Sequence, residues 1–253
     1  MKLSGAFVIL CFAFVGYTMA SSSPQGRIAG GEDATLGQLP YQASLAIGGS
    51  YNCGAVIIAE RFALTALTCV CSAGKDTPWP PQLFIVSAGT VDLYNGGQRI
   101  RVEEIIVNPN YNELKTGIAL LRLSEPLIFN MDVGPLPLAT ENPAVGSYVD
   151  ISGWGRTKES DTEMYRTLQV GLAIVEAERE CLEASDAPVN DQVLCLGHQR
   201  RQGICAGDIG GPAVYRDTLV GLGAEVLGEC GSMLPERFIS IAANYEWIQL
   251  QME

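Results

Sequence analysis

The amino-acid sequence predicts an all-β fold in which two antiparallel β-barrels pack together and a short α-helix follows at the C-terminus. Short runs rich in β-branched and aromatic residues recur along most of the chain, and Gly- and Pro-containing turns separate them. A Pro-containing connection at residues 135–143 divides these runs into two groups. A helical pattern is confined to residues 243–251, where Trp247 and Ile248 are expected to face inward.

The strand pattern is most regular in the first half of the chain. Turn signals such as Gly48-Gly49 lie between consecutive runs, as in β-hairpins. The predicted strands of the first barrel are residues 41–47, 53–58, 62–67, 83–87, 99–107 and 118–123. The second group of strands begins near Ser147. We therefore expect the first barrel at about 28–135, the second at about 147–242 and the C-terminal helix after them.

The composition indicates a chain that buries its own core and does not bind polyanions. Its 253 residues are 47% apolar, which is enough for a globular unit. The net charge is −12, so neither nucleic acid nor an anionic membrane is expected as a partner, because phosphate-binding surfaces are basic. We expect no metal ion and no cofactor.

The first 20 residues have the pattern of a secretory signal peptide. Lys2 precedes an apolar run at residues 6–16, and Ala20 ends a small-residue cleavage site. A membrane anchor is the alternative, but it requires a longer apolar run. We therefore predict a signal peptide at 1–20, a short polar segment at 21–27, and a secreted, extracellular protein.

A glycine-rich run begins at Cys205 and reads C-A-G-D-I-G-G-P. It resembles the nucleophile loop of the trypsin-like serine proteases, peptidase family S1, in which closely spaced glycines aim backbone N–H groups at a developing oxyanion. The run Gly153-Trp154-Gly155 also matches the family. The likeness extends from about Ile28 to the C-terminus, so the resemblance implies one homology domain at 28–253 with six strands in each barrel.

The three catalytic positions of the family carry other residues here. Ile209 stands at the position of the serine and has no nucleophilic atom, donor or acceptor in its side chain. The histidine of the L-T-A-A-H-C motif is replaced by Thr68, and the aspartate of D-I-A-L-L is replaced by Gly117. Threonine does not exchange a proton near neutral pH as imidazole does. We therefore expect no catalytic residues and no enzyme, with the N–H groups of Gly207 and Ile209 as the remaining oxyanion donors.

The residues of the family's activation switch are retained. The run from Arg27 through Ile28 to Gly31 resembles the activation site, where cleavage after the basic residue frees an α-amino group. In the family this group pairs with the aspartate before the catalytic serine, which here is Asp208. Because a buried carboxylate needs a partner, the retention of Ile28 and Asp208 predicts a zymogen-like switch. The alternative is that nothing cleaves after Arg27.

The resemblance also implies a degenerate specificity pocket. Gly203 occupies the position of the aspartate that binds Lys or Arg in trypsin. Glu236 replaces the glycine of P-G-V-Y, and Glu225 and Val226 lie in the run that replaces S-W-G. Val226 and Glu236 would partly fill the pocket, while Glu225 removes an apolar wall. We expect a partly solvated Glu236, the alternative being that it recruits a cationic group. The single histidine, His198, lies in a loop that rims this pocket in the family.

Seven of the eight cysteines follow the signal peptide. The sequence alone does not fix their connectivity, but the resemblance implies three disulfides. These are Cys53–Cys69, Cys181–Cys195 and Cys205–Cys230. Cys71 is left over, either as a buried thiol in a monomer or as the link of a disulfide-bonded dimer.

These features lead to the expectation of a secreted, non-catalytic serine protease homologue that acts by protein binding. It would serve as a regulator, adaptor or decoy in an extracellular protease pathway, with active proteases, their inhibitors or their substrates as partners. Cleavage after Arg27 would switch it. Two alternatives are a serine-type endopeptidase with weak residual activity and a plain secreted structural or luminal protein.

Overall fold

The computed structural model describes residues 31–72, 74–185 and 191–253. The predicted signal peptide at 1–20, the segment at 21–27 and Ile28 lie outside the described residues. Within the described part, no helix is long and apolar enough to cross a membrane.

The first barrel is a closed antiparallel sheet of six strands. Hydrogen bonds join its strands in the order β2-β3-β4-β7-β6-β5. The strands are β2 (Gln42–Ile47), β3 (Ser50–Ala59), β4 (Phe62–Ala66), β5 (Phe84–Ala88), β6 (Gln98–Val107) and β7 (Ile118–Leu123). A short strand, β1 (Glu32–Asp33), precedes them. Strands β2, β4 and β7 are buried along most of their length, whereas β6 alternates between buried and exposed residues in its first half.

The second barrel repeats this architecture. Its strands are β8 (Tyr148–Gly153), β9 (Gln169–Val175), β10 (Val193–Gly197), β11 (Pro212–Tyr215), β12 (Thr218–Val226) and β13 (Glu236–Ser240). They run in the order β9-β10-β13-β12-β11-β8, and the pairing of β8 with β9 closes the sheet. Strand β1 pairs with the first residues of β9, with Glu32 opposite Val170. The prediction of two six-stranded antiparallel barrels is therefore confirmed.

Two hydrophobic cores fill the barrels and meet at their junction. The larger core contains the interior of the first barrel together with Leu219 and Leu222 of β12. The smaller core lies inside the second barrel and includes Ile151 and Phe238. Ile209 packs against both cores. Burial of this apolar surface is the main favourable contribution to folding.

The chain has two short α-helices among its described residues, of which the sequence predicted one. Helix α2 (Ile241–Gln251) begins two residues before the predicted start, because Ser240 caps it by accepting a hydrogen bond from Ala243 N–H at 3.3 Å. Ile248 is buried and Trp247 is half-buried against the larger core, as expected. Helix α1 (Glu178–Ala184) was not predicted, since its seven residues are too few to show a helical period.

Three disulfides crosslink the described chain. They are Cys53–Cys69, Cys181–Cys195 and Cys205–Cys230, the same pairs that the family resemblance implies. Cys71 carries a free thiol that is 8% exposed. Burial, followed by the negative charge of Asp76, raises the pKa of this thiol to about 11. A thiol held in this state is a poor nucleophile at neutral pH.

Candidate functional site

The three positions that correspond to the catalytic triad lie together at the junction of the barrels. Thr68 is in a 3₁₀-helix (Leu67–Cys69) directly after β4, and Gly117 directly precedes β7. The N–H of Leu67 donates to the carbonyl oxygen of Gly117 at 2.8 Å, because β4 and β7 are paired strands. The N–H of Gly54 on β3 donates to the carbonyl oxygen of Ile209 at 2.8 Å. The backbone therefore brings all three positions to one place.

The space beside Gly117 is occupied by Leu67. A Cβ atom at residue 117 would lie 2.6 Å from Leu67 Cδ2 and 3.0 Å from Leu67 Cβ. Leu67 is fully buried in the larger core and cannot move away freely. The backbone of Gly117 is extended, with φ of −74° and ψ of 146°, so its conformation does not require glycine. The glycine is needed because of Leu67, which the sequence motif alone did not reveal.

Ile209 serves as a packing residue at the position of the nucleophile. Its half-buried side chain contacts both hydrophobic cores. The turn around it keeps its backbone hydrogen bonds: Gly210 N–H donates to Gly223 O at 2.8 Å, and Gly211 N–H donates to Asp208 O at 2.9 Å. Gly207 and Gly210 have φ of +101° and +78°, which other residues rarely adopt. The loop therefore has the backbone of a nucleophile loop with an apolar side chain in it.

Asp208 is a buried carboxylate enclosed by backbone. It is 1% exposed, and its two oxygens accept from Gly155 N–H at 2.7 Å and from Cys205 N–H at 3.0 Å. A Cβ atom at Gly153 or Gly155 would overlap this carboxylate. Burial raises the pKa of Asp208 to about 7 despite the two hydrogen bonds that stabilise its anion, and the charge of Glu236 adds to the rise.

The pocket beside Gly203 is filled by an internal ion pair. His198 Nε2 lies 3.3 Å from Glu236 Oε1, and both side chains are 1% exposed. The N–H of Ile204 donates to Glu236 Oε2 at 3.0 Å. A Cβ atom at Gly203 would overlap the Glu236 carboxylate and lie 2.6 Å from His198 Nε2. Glycine at 203 is therefore required for the two side chains to fit beneath it.

This geometry corrects the expectation that Glu236 is partly solvated. A carboxylate can be buried when it has a cation and a hydrogen-bond donor, and His198 and Ile204 provide them. Val226, which lies opposite Glu236 in the β12–β13 ladder, packs against the smaller core. Sequence reasoning left His198 without a role, since no local pattern connects residues 198 and 236.

Glu225 belongs to an ion cluster that joins the two barrels. Arg237 of β13 is 0% exposed and forms a bidentate pair with Glu113, with Nη1–Oε2 at 3.2 Å and Nη2–Oε1 at 3.1 Å. Its Nη1 also donates to Glu225 Oε2 of β12 at 3.0 Å. Lys115 binds the other oxygen of Glu225. Glu113 and Lys115 precede β7 of the first barrel, so these four residues, the cross-barrel clamp, join the two barrels.

One group of potential metal ligands occurs among the described residues. It consists of Glu159, Cys205 and Cys230. The two cysteines form a disulfide and so provide no thiolate for a metal ion.

The two barrels, the loop around Ile209 and the buried Asp208 define a trypsin-like serine protease domain. The family model described as Trypsin matches residues 28–248, and the chain belongs to this family. Serine protease SP24D of Anopheles gambiae is 34% identical over 226 residues, which cover 89% of this chain and 81% of that protein. Trypsin 5G1 of Aedes aegypti is 30% identical, with 88% and 84% covered. Neuropsin, a serine protease of mouse brain, has a solved structure with a TM-score of 0.79 at 27% identity, covering 88% of this chain and 99% of that one.

These comparisons contradict the expectation that the chain is not an enzyme. The relatives are named serine proteases and trypsins, and they place the chain in a family of enzymes that act on proteins. The expectation rested on three side chains, whereas the similarity extends over most of the chain. A family is defined by the whole domain, so three positions are too small a basis for that conclusion.

Proposed function

We propose that this trypsin-family protein is secreted and acts by binding protein partners, as a regulator, adaptor or decoy in an extracellular protease pathway. Active proteases, their inhibitors and their substrates are the partner classes. Two features support binding as its mode of action. The Glu236–His198 pair fills the pocket beside Gly203, and the cross-barrel clamp joins the two barrels.

The observation that carries the proposal is the buried carboxylate of Asp208. Within the described residues this side chain forms no ion pair. A buried charge without a counter-ion is unfavourable, and the pKa of Asp208, raised to about 7, reflects this cost. Cleavage after Arg27 would create the α-amino group of Ile28, a cation of the required kind. We infer that the pairing of Ile28 with Asp208 is a switch that reorganises the loops around residue 208.

Endopeptidase activity is the second candidate function, and the names of the relatives favour it. The two candidates predict different measurements on the same preparation. Binding predicts an affinity that changes when the Arg27–Ile28 bond is cleaved. Endopeptidase activity predicts peptide hydrolysis by the cleaved chain. A plain structural or luminal protein would show neither hydrolysis nor a change in affinity.

The experiment compares the purified chain before and after cleavage at Arg27, with the new N-terminus verified by mass spectrometry. Affinity is measured by biolayer interferometry against two probes, an active trypsin and a Kunitz-type trypsin inhibitor. Hydrolysis of a fluorogenic peptide library is recorded with the same samples. Because Ile209 has no hydroxyl to phosphonylate, activity that a serine-directed phosphonate removes comes from a contaminating protease. A cleavage-dependent change in affinity supports the proposal, and unchanged affinity for both probes refutes it.

A further inference from the structure

The His198 side chain faces an acceptor at each of its two ring nitrogens. Nδ1 lies 3.0 Å from the carbonyl oxygen of Gln199, and Nε2 lies 3.3 Å from Glu236 Oε1. A neutral imidazole has one N–H and one lone pair, so it can satisfy only one of these acceptors. The doubly protonated imidazolium presents an N–H to each. Glu236 Oε1 has no hydrogen bond among the described residues, so its contact with Nε2 is an ion pair that exists only while His198 carries its second proton.

The same pair is attached to the segment that leads to Asp208. Glu236 Oε2 accepts from the N–H of Ile204, and Asp208 accepts from the N–H of the next residue, Cys205. Two buried carboxylates thus hold consecutive backbone N–H groups. If Glu236 moves away, the N–H of Ile204 loses its acceptor, and Cys205 loses the neighbour that fixes its orientation.

Four further titratable groups interact with the pair, directly or through one neighbour. Glu176, which follows β9, lies against Gly197 and contributes negative charge to His198, and Glu180 of α1 contributes negative charge to Glu176. Asp208 faces Glu236 from the glycine-rich loop, and Tyr51 faces Asp208 from β3. The cluster therefore contains several carboxylates around one imidazolium, and loss of its proton removes the compensating positive charge.

We propose that His198 and Glu236 form a proton-operated lock on residues 203–205, which is closed while the imidazolium keeps its proton and opens the pocket beside Gly203 when the proton is lost. Burial alone would lower the pKa of His198, but the pairing with Glu236 outweighs it, so that the pKa is raised above its usual 6.5. The lock is closed at mildly acidic pH. Its effect on the activation switch at Asp208 rests on the function proposed above.

The test follows the uncleaved chain between pH 5 and pH 9 without any partner. Because the chain contains one histidine, a single imidazole resonance in the NMR spectrum reports His198. Hydrogen exchange, corrected for the intrinsic effect of pH, reports the N–H groups of Ile204 and Cys205. We expect the resonance to titrate above pH 6.5. The protection of Ile204 should fall by up to about tenfold per pH unit between pH 6.5 and that titration, since opening releases one proton in this range, and should level off above it.

Two variants separate the lock from a general effect of pH. In His198→Gln the protection of Ile204 should be low and should lose the pH dependence that follows the His198 titration, since a glutamine side chain does not titrate. Glu104→Gln, which removes an exposed carboxylate paired with Arg122, is the control and should behave like the wild type. In wild-type protein, a His198 titration at or below pH 6.5, or protection of Ile204 that is constant with pH, overturns the proposal. Partner binding is not measured, so failure of the proposed function leaves this result unaffected.

Discussion

The pairing of Gly117 with Leu67 leads to a prediction whose size follows from the structure. Replacing Gly117 with alanine adds a Cβ atom that would lie 2.6 Å from Leu67 Cδ2 and 3.0 Å from Leu67 Cβ. Overpacking of a filled core costs about 1–3 kcal/mol. The extended backbone at residue 117 accepts alanine, and the loss of glycine's freedom in the unfolded chain returns about 0.4–1 kcal/mol. We expect Gly117→Ala to lower the free energy of unfolding by about 1–2 kcal/mol.

A double-mutant cycle identifies Leu67 as the cause. Leu67→Ala alone should cost about 2–5 kcal/mol because it leaves a cavity. In that background the contact with Cδ2 is gone and the approach to the Cβ atom of residue 67 remains, so the second substitution should be close to neutral. The coupling free energy should therefore be about 1–2 kcal/mol. Urea unfolding of the four proteins with their disulfides intact gives this quantity.

The matched control is Gly134→Ala. At Gly134 the nearest atom to an added Cβ is Pro40 Cβ at 3.9 Å, which is ordinary van der Waals distance. This substitution should not destabilise the protein. If Gly117→Ala is also without effect, or if Leu67→Ala does not relieve its cost, the explanation of the glycine is wrong.

Three further predictions concern buried groups. The pKa of about 7 at Asp208 means that the folded chain binds a proton more tightly than the unfolded chain between about pH 4 and pH 7. The contribution of Asp208 to the free energy of unfolding should therefore fall by about 4 kcal/mol as the pH rises through this window. Urea unfolding at pH 4 and pH 7.5 measures the change, and a rise in stability with pH contradicts the prediction. Arg237→Met leaves the carboxylates of the cross-barrel clamp without their buried cation and should cost about 3–5 kcal/mol in urea unfolding, whereas Arg122→Met, at an exposed pair, should cost under about 1 kcal/mol; equal losses contradict the role of the clamp. The thiol of Cys71, with its pKa of about 11, should react with an aromatic disulfide reagent at pH 8 only after denaturation, and the protein should migrate as a monomer without reduction; a dimer that a reductant dissociates contradicts this.

The fold could be predicted from the sequence because its signals are local. Short β-like runs bounded by turn residues located the strands of the first barrel to within a few residues, and the family resemblance supplied the count of six strands in each barrel. Helix α1 (Glu178–Ala184) was missed because seven residues complete less than two turns of hydrophobic period. Gly153 and Gly155 were recognised as part of a motif, but their physical role beside Asp208 required the three-dimensional contacts.

The candidate site was only partly predictable, because its charged contacts join residues that are distant in sequence. His198 follows β10 and Glu236 begins β13, and the sequence around each residue contains no sign of its contact with the other. The same holds for Arg237 and Glu113, which belong to different barrels. The expectation that the chain is not an enzyme was wrong because it gave three substituted triad positions more weight than the similarity of the whole domain.

The measurement that tests the proposed switch most directly is the change in affinity on cleavage at Arg27, made in parallel with wild-type protein and Asp208→Asn. Asparagine keeps the size of the side chain but cannot form an ion pair with the α-amino group of Ile28. With the Kunitz-type inhibitor or the active trypsin as the probe, cleavage should change the dissociation constant of the wild type by about tenfold or more, which corresponds to about 1.4 kcal/mol. The variant, folded as judged by circular dichroism, should show no change. Equal changes in the two proteins would contradict a switch that operates through Asp208.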